Sequence, residues 1–315
     1  MWLHALLVAV SFLILFAGAE MLVRGGSALA IRLGLTPLVV GLTVVAYGTS
    51  TPELLVSLKS AFAGQPDIAV GNVVGSNLFN IAVILGISAV ILPIRSHLQI
   101  LRWDAPVLLA VTLLAPLTFL DGVVTRTEGG VLLILAAAYT IWAIRLARRE
   151  GSNVEVSDDD AATVAKPGLA VAAVLIAAGL GVLVFGSRLL VTHAVEIAQS
   201  LGVSEAVIGL TIVAAGTSMP ELATSVVAAF RGQSDIALGN VLGSNLFNLL
   251  FVLGGSALVH PVSTSGITLL DLGAMALVTG LLVPFLITGK RLGRLEGTIL
   301  LATFAAYLFL MWPRG

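Results

Sequence analysis

The sequence predicts an all-α polytopic membrane protein of about ten transmembrane helices, arranged as two inverted-topology repeats of five. Three observations predict it. Of 315 residues, 58% are hydrophobic and only 10% are charged, against about 25% charged in soluble domains. Apolar windows long enough to cross about 30 Å of hydrocarbon recur along the whole chain. The segment from Thr43 to Gly86 also aligns without a gap on Thr211 to Gly254 at a constant offset of 168, with 28 of 44 positions identical.

The composition excludes whole classes. A surface so poor in charge does not dissolve as a water-facing globule, which removes soluble enzymes and secreted scaffolds and makes membrane lipid the expected surroundings. A net charge of -1 offers nucleic acid no basic surface. The chain has no cysteine, so disulfides, thiolate metal sites and cysteine nucleophiles are absent, and the redox compartment stays undecided.

The first apolar stretch ends in Ala17-Gly18-Ala19, which resembles a signal-peptide cleavage site, but no Lys or Arg precedes it and apolar residues continue past Glu20. It is read as a retained first span. Further spans are expected near 37–62, 67–92, 104–121 and 129–147, after a first at 3–23. A second set follows at 168–192, 205–230, 235–259, 270–288 and 297–312. The first repeat is expected over 1–147 and the second over 168–315. A polar linker at 148–167, with Arg148, Arg149 and Asp158 to Asp160, joins them. Assigning all 16 Lys and Arg to helix ends puts twelve on the linker side and four on the other. The positive-inside rule then makes the linker cytoplasmic and both termini external. Five spans per half, an odd number, turn the second copy upside down, as in many transporters.

Each copy interrupts a span with Gly-Thr-Ser-x-Pro-Glu, at residues 48–53 and 216–221. Pro removes a backbone donor and clashes with the preceding turn, so both helices should break there. Backbone broken at this depth survives only under protein or beside an aqueous cavity, and its carbonyls become candidate ligands. Glu53 and Glu221 follow the breaks. A carboxylate at the bilayer centre costs at least about 2.5 kcal/mol and marks a functional site by default. The next helices carry Asn72, Ser76 and Asn80, and Asn240, Ser244 and Asn248, each set on one helical face by its spacing of four. Gly71 with Gly75, and Gly239 with Gly243, form small surfaces that admit a close neighbour.

Two carboxylates, the hydroxyls of Thr49, Ser50, Thr217 and Ser218, Asn amides and backbone carbonyls form an all-oxygen donor set. Ca²⁺ takes about 6 to 8 such ligands, while zinc and copper call for His or Cys. The four histidines lie at or near span ends. The same oxygens suit Na⁺ or protons, and a pocket holding one ion or the other, but not both, couples their gradients.

At these residues the sequence resembles the cation/Ca²⁺ exchanger superfamily, most of all its bacterial and archaeal Na⁺/Ca²⁺ exchanger branch. The resemblance implies the ten-helix exchanger fold and a secondary active antiporter exchanging Ca²⁺ for Na⁺, with no cofactor and a monomer as functional unit. It implies that Glu53 and Glu221 coordinate Ca²⁺, that Thr49 and Thr217 add oxygens, and that Asn80 and Asn248 complete the site. Ala46, Ser50, Ser76, Ala214, Ser218 and Ser244 would line flanking Na⁺ positions, the alanines through their carbonyls. The first and sixth helices would slide across the core. Na⁺-coupled members often carry Asp at one of the positions matched by Asn80 and Asn248. Here both are Asn, as is common in proton-coupled relatives, so H⁺/Ca²⁺ antiport stands as the alternative, while the serine pattern resembles the Na⁺ branch.

Other polar residues have plainer readings. Asp67 and Asp235 are expected to cap helices beginning at Ile68 and Ile236, Thr36 before Pro37 and Ser204 before Glu205 to start helices, and Glu20 to pair with Arg24 four residues on. The Asp158–Asp160 run reads as solvated linker. An intramembrane hydrolase would need a Ser-His pair, a His-Glu-x-x-His motif or paired deep Asp residues, none of which the sequence offers. A Ca²⁺ channel is disfavoured because channels are usually rings of subunits, whereas one chain here carries an inverted repeat.

Overall fold

The computed structural model describes residues 1–96, 98–151, 168–202, 212, 214–289 and 291–311. Helix α1 (Trp2–Leu33) ends at Gly34, whose φ of 61° turns the chain out of the helix. Thr36 caps the next helix by accepting the Val39 N–H. That helix, α2 (Pro37–Thr49), meets α3 (Thr51–Phe62) at a 45° bend. Helix α4 (66–91) is continuous apart from a π-turn at Asn80–Leu85. Strand β1 (Ile94–Arg95), α5 (Ile100–Phe119), β2 (Val123–Val124) and α6 (Arg126–Gly151) complete the first half. The second half has α7 (Leu169–Ser200), α8 (Ala214–Thr217), α9 (Met219–Phe230), α10 (Ser234–Val259), β3 (Val262–Ser263), α11 (Leu269–Gly289), β4 (Arg291–Leu292) and α12 (Arg294–Met311). Among the described residues eight helices are long and apolar enough to cross a membrane, and the bent α2–α3 pair makes a ninth span. The first part of the span expected at 205–230 lies outside the described residues, as do Ser204 and Asp158 to Asp160.

Two local expectations are corrected, and a third holds with an added partner. Helices α4 and α10 start at Pro66 and Ser234, so Asp67 and Asp235 lie inside the first turn rather than at the cap. Gln65 and Gln233 hold the cap positions without a side-chain bond. The fifth span continues as helix through Arg148 and Arg149 to Gly151, since basic residues in a last turn complement the helix dipole. Glu20 does accept from Arg24 Nε at 2.6 Å, but it also holds Arg231, through Nη2 at 2.8 Å and Nε at 2.9 Å.

The two halves pack as an inverted pair. Helices α1 and α7 lie against each other with backbones in contact. A Cβ on Gly18 would come within 2.9 Å of Leu183 N, and one on Gly179 within 2.8 Å of Gly18 O. In the centre, 94% of the α10 span is buried, against 11% of α12, so α4 and α10 form the core and α6 and α12 pack on its outside. The small sheets test the inversion. Strand β1 pairs antiparallel with β4, and β2 with β3, while the offset of 168 relates β1 to β3 and β2 to β4. Each sheet therefore joins non-equivalent loops of the two halves, as happens when equivalent loops lie on opposite membrane faces.

Candidate ion-binding site

Both Pro-Glu breaks occur where the sequence places them. Ser50 (φ −82°, ψ 9°) and Ser218 (φ −89°, ψ 8°) leave helical geometry before α3 and α9 begin. Glu53 and Glu221 fall in the first turns of those helices, and both are buried. The halves then exchange bonds: Ser50 donates to Glu221 Oε1 at 2.8 Å, and Ser218 donates to Glu53 Oε1 at 3.0 Å. Thr217 and Ser218 stand beside the Glu53 carboxylate, Thr49 and Ser244 beside that of Glu221, and the two carboxylates are close enough to interact electrostatically.

The Asn helices brace the breaks from behind. Asn72 Nδ2 donates to Glu53 O at 3.1 Å and to Ser57 Oγ at 2.9 Å. Asn240 Nδ2 repeats this on Glu221 O at 3.3 Å and Ser225 Oγ at 2.9 Å. The Thr49 hydroxyl reaches Asn240 Oδ1 at 3.0 Å, and Ser218 Oγ lies 3.4 Å from Ser76 Oγ. Ser187 on α7 donates to Gly216 O, the carbonyl that loses its helical partner to Pro220. The Ala46 carbonyl is less loose than the motif implies, because it accepts Ser50 N–H at 3.0 Å and the Thr49 hydroxyl at 3.3 Å. The side chain of Ala214 lies outside the described set.

Sequence periodicity missed Asn77 and Asn245, one residue away from the Ser76 and Ser244 face. Their side chains cross between α4 and α10: Asn77 Nδ2 donates to Asn245 O at 3.2 Å and Asn245 Nδ2 to Asn77 O at 3.1 Å. Their Oδ1 atoms accept from Asn248 and Asn80 Nδ2 at 3.1 and 3.0 Å. With their NH₂ groups so engaged, Asn80 and Asn248 turn Oδ1 away from the pair. Identity of these residues in both copies was the available signal. Asp104 and Asp271 are also buried acids, held by Tyr139 and Tyr307 hydroxyls at 3.0 and 2.9 Å.

A set of acceptors remains. Glu53 Oε2, Glu221 Oε2, Asn80 Oδ1, Asn248 Oδ1 and Ser244 Oγ are buried without a hydrogen-bond partner among the described residues. Leaving a buried polar atom unpaired costs about 1–3 kcal/mol, and here four of the five come from both halves in matched positions, Glu53 with Glu221 and Asn80 with Asn248. They fit a hard cation, which needs oxygen ligands and carboxylate charge.

The sodium/calcium exchanger protein family model matches residues 3–145 and 171–312. Putative antiporter CaxA of Alkalimonas amylolytica is 36% identical over 99% of both chains. Sodium/calcium exchanger MaX1 of Methanosarcina acetivorans is 30% identical over 97% of this chain and 99% of its own. A solved structure of the sodium-calcium exchanger NCX_Mj superposes with a TM-score of 0.83 at 30% identity, covering 97% of this chain and 98% of that one. The two matched blocks coincide with the two halves that the hydrogen bonds relate, and the chain belongs to the sodium/calcium exchanger family of cation antiporters.

Proposed function

We propose that this chain is a secondary active antiporter that exchanges Ca²⁺ for Na⁺ at the site between its two halves. The observation that carries the proposal is the matched set of unpartnered oxygens on Glu53, Glu221, Asn80 and Asn248. In this reading Glu53 and Glu221 coordinate Ca²⁺ and neutralise it, with oxygens from Thr49, Thr217, Asn80 and Asn248. Ser50, Ser76, Ser218 and Ser244, with the Ala46 and Ala214 carbonyls, line the Na⁺ positions. Every ligand comes from one chain, so a monomer is the functional unit. Residues 1–147 and 168–315 act as the two halves, and the segment between them, into which the fifth span's helix runs as far as Gly151, links them on the cytoplasmic side, with both termini outside. Access alternates as the α1–α7 pair shifts over the core, to which Glu20 with Arg231 and Ser187 with Gly216 O tie it among the described residues.

A second reading, H⁺/Ca²⁺ antiport, is favoured by one observation: Asn80 and Asn248 are both neutral amides, leaving two formal charges in the site. Flux through purified protein in proteoliposomes separates the two. An outward Na⁺ gradient should drive Ca²⁺ uptake with no pH gradient. Uptake driven by a pH gradient alone, with Na⁺ inert, selects the proton reading, and uptake with neither gradient returns a channel.

A further inference from the structure

His4 in the first turn of α1 and His193 near the end of α7 meet at one end of this helix pair. Their Nδ1 atoms are 3.2 Å apart, and the half-buried rings stand edge-on at 66° with centroids 5.2 Å apart. Packing alone does not call for them. The offset that relates the two halves carries His4 to Ala172 and His193 to Gly25, and those two residues meet at the opposite end of the same pair. There a Cβ on Gly25 would lie 3.0 Å from Ala172 O. One end is closed by the smallest side chains, and the other holds two imidazoles with their ring nitrogens turned together.

That separation matches a metal bite. A tetrahedral zinc with bonds of about 2.0–2.1 Å holds neighbouring nitrogens about 3.3 Å apart. We propose that His4 and His193 form a binding site for a zinc-class divalent transition ion, held by the two Nδ1 atoms. No group of three or more His, Cys, Asp or Glu suited to a metal occurs among the described residues, so water completes the shell and the ion exchanges. Two neutral rings bind it without net loss of a proton: the ring that donates in the Nδ1 contact moves its hydrogen to Nε2 through solvent. Ligand softness separates this site from the central one, since imidazole suits zinc whereas the central donors, all oxygen, suit Ca²⁺. A bound ion ties α1 to α7 beyond their glycine contacts and stabilises the pair.

The test uses the full chain, untagged, in detergent with Zn²⁺ alone. Zinc-edge X-ray absorption should show two imidazoles per bound zinc. In competition with a chromophoric chelator, His4→Ala and His193→Ala should each weaken binding at least about tenfold, the scale on which even an outer-shell partner matters. His260→Ala, whose ring bonds Pro261 O beside β3, should leave it unchanged. A wild-type spectrum with oxygen scatterers only, or undiminished affinity in both variants, would overturn the proposal. The spectrum requires no variant, so a folding defect cannot conceal the answer.

Discussion

Glu53 and Glu221 each spend one carboxylate oxygen on a serine of the opposite half and keep the other unpaired among the described residues. In the proposed site a cation between them would be held by charge, and Gln keeps the shape of the Glu side chain without its charge. Removing one partner of a buried charge pair costs about 3–5 kcal/mol, or more than about 100-fold in affinity. Glu53→Gln and Glu221→Gln should therefore each abolish Ca²⁺ uptake in proteoliposomes, and most activity surviving in either variant would remove the central site. Asn77 offers a gentler probe. Its Oδ1 holds the Asn248 amide, so Asn77→Leu should free that amide to rotate and weaken Ca²⁺ binding about tenfold by calorimetry, without the complete loss expected for the Glu variants. The sequence shows Glu53 and Glu221 plainly because a carboxylate is conspicuous in an apolar run. It hides Asn77 and Asn245 because their role is contact across the pseudo-twofold axis, and single-helix periodicity assigns them to another face.

At the level of helices, the sequence reads spans well and their irregularities only in part. Proline announces the breaks at Ser50 and Ser218, but nothing local announces the π-turns that begin at Asn80 and Asn248. Such bulges often mark functional sites, and these two begin at Asn80 and Asn248 of the candidate site, while π-turns at Gly41–Val45 and Ile100–Asp104 do not begin at a site residue. The Glu20–Arg24 pair is legible as neighbours on one turn, whereas the Arg231 link spans 211 positions and exists only once α1 lies over α9. Small-residue surfaces are likewise half legible. On α10, a Cβ at Gly239 would meet the Leu38 carbonyl at 2.6 Å, a backbone atom that cannot step aside. The residues related by the offset to Leu38 and Leu42, at 206 and 210, lie outside the described set, so the matching role of Gly71 and Gly75 stays an expectation. Gly239→Ala should push α10 off α2 at a cost of about 1–3 kcal/mol, lowering the thermal midpoint. Gly255→Ala, with nothing among the described residues within 4 Å, should leave it unchanged or raise it. Equal melting of the two variants would refute close packing at Gly239.

For the whole molecule, the duplication is what would let the proposed site serve transport. A site built from two copies of one motif, facing each other from opposite membrane faces, has two nearly equivalent ways to open, and small asymmetries choose between them. Ser187 bonds Gly216 O, whereas its counterpart by the offset is Ala19, which has no donor. Arg231 grips Glu20, whereas its counterpart is Ala63. Both links tie the α1–α7 pair to the second half. Such a device requires the halves to be oppositely inserted, and the strand pairs already join the loops that inversion places together. What the sheets leave open is which face is which, and there the bias of twelve basic residues against four supplies only the expectation of a cytoplasmic linker. The natural absence of cysteine makes the chain a ready background for single reporters. Asp121→Cys, beside β2, should react with a membrane-impermeant maleimide in intact cells, while Ser157→Cys, in the segment between the halves, should react only in inside-out vesicles. Labelling of both residues from the same side would refute the inverted arrangement, because an odd number of spans, one, separates them. Labelling of each from the side opposite to that expected would keep the inversion and reverse the orientation, placing the termini in the cytoplasm.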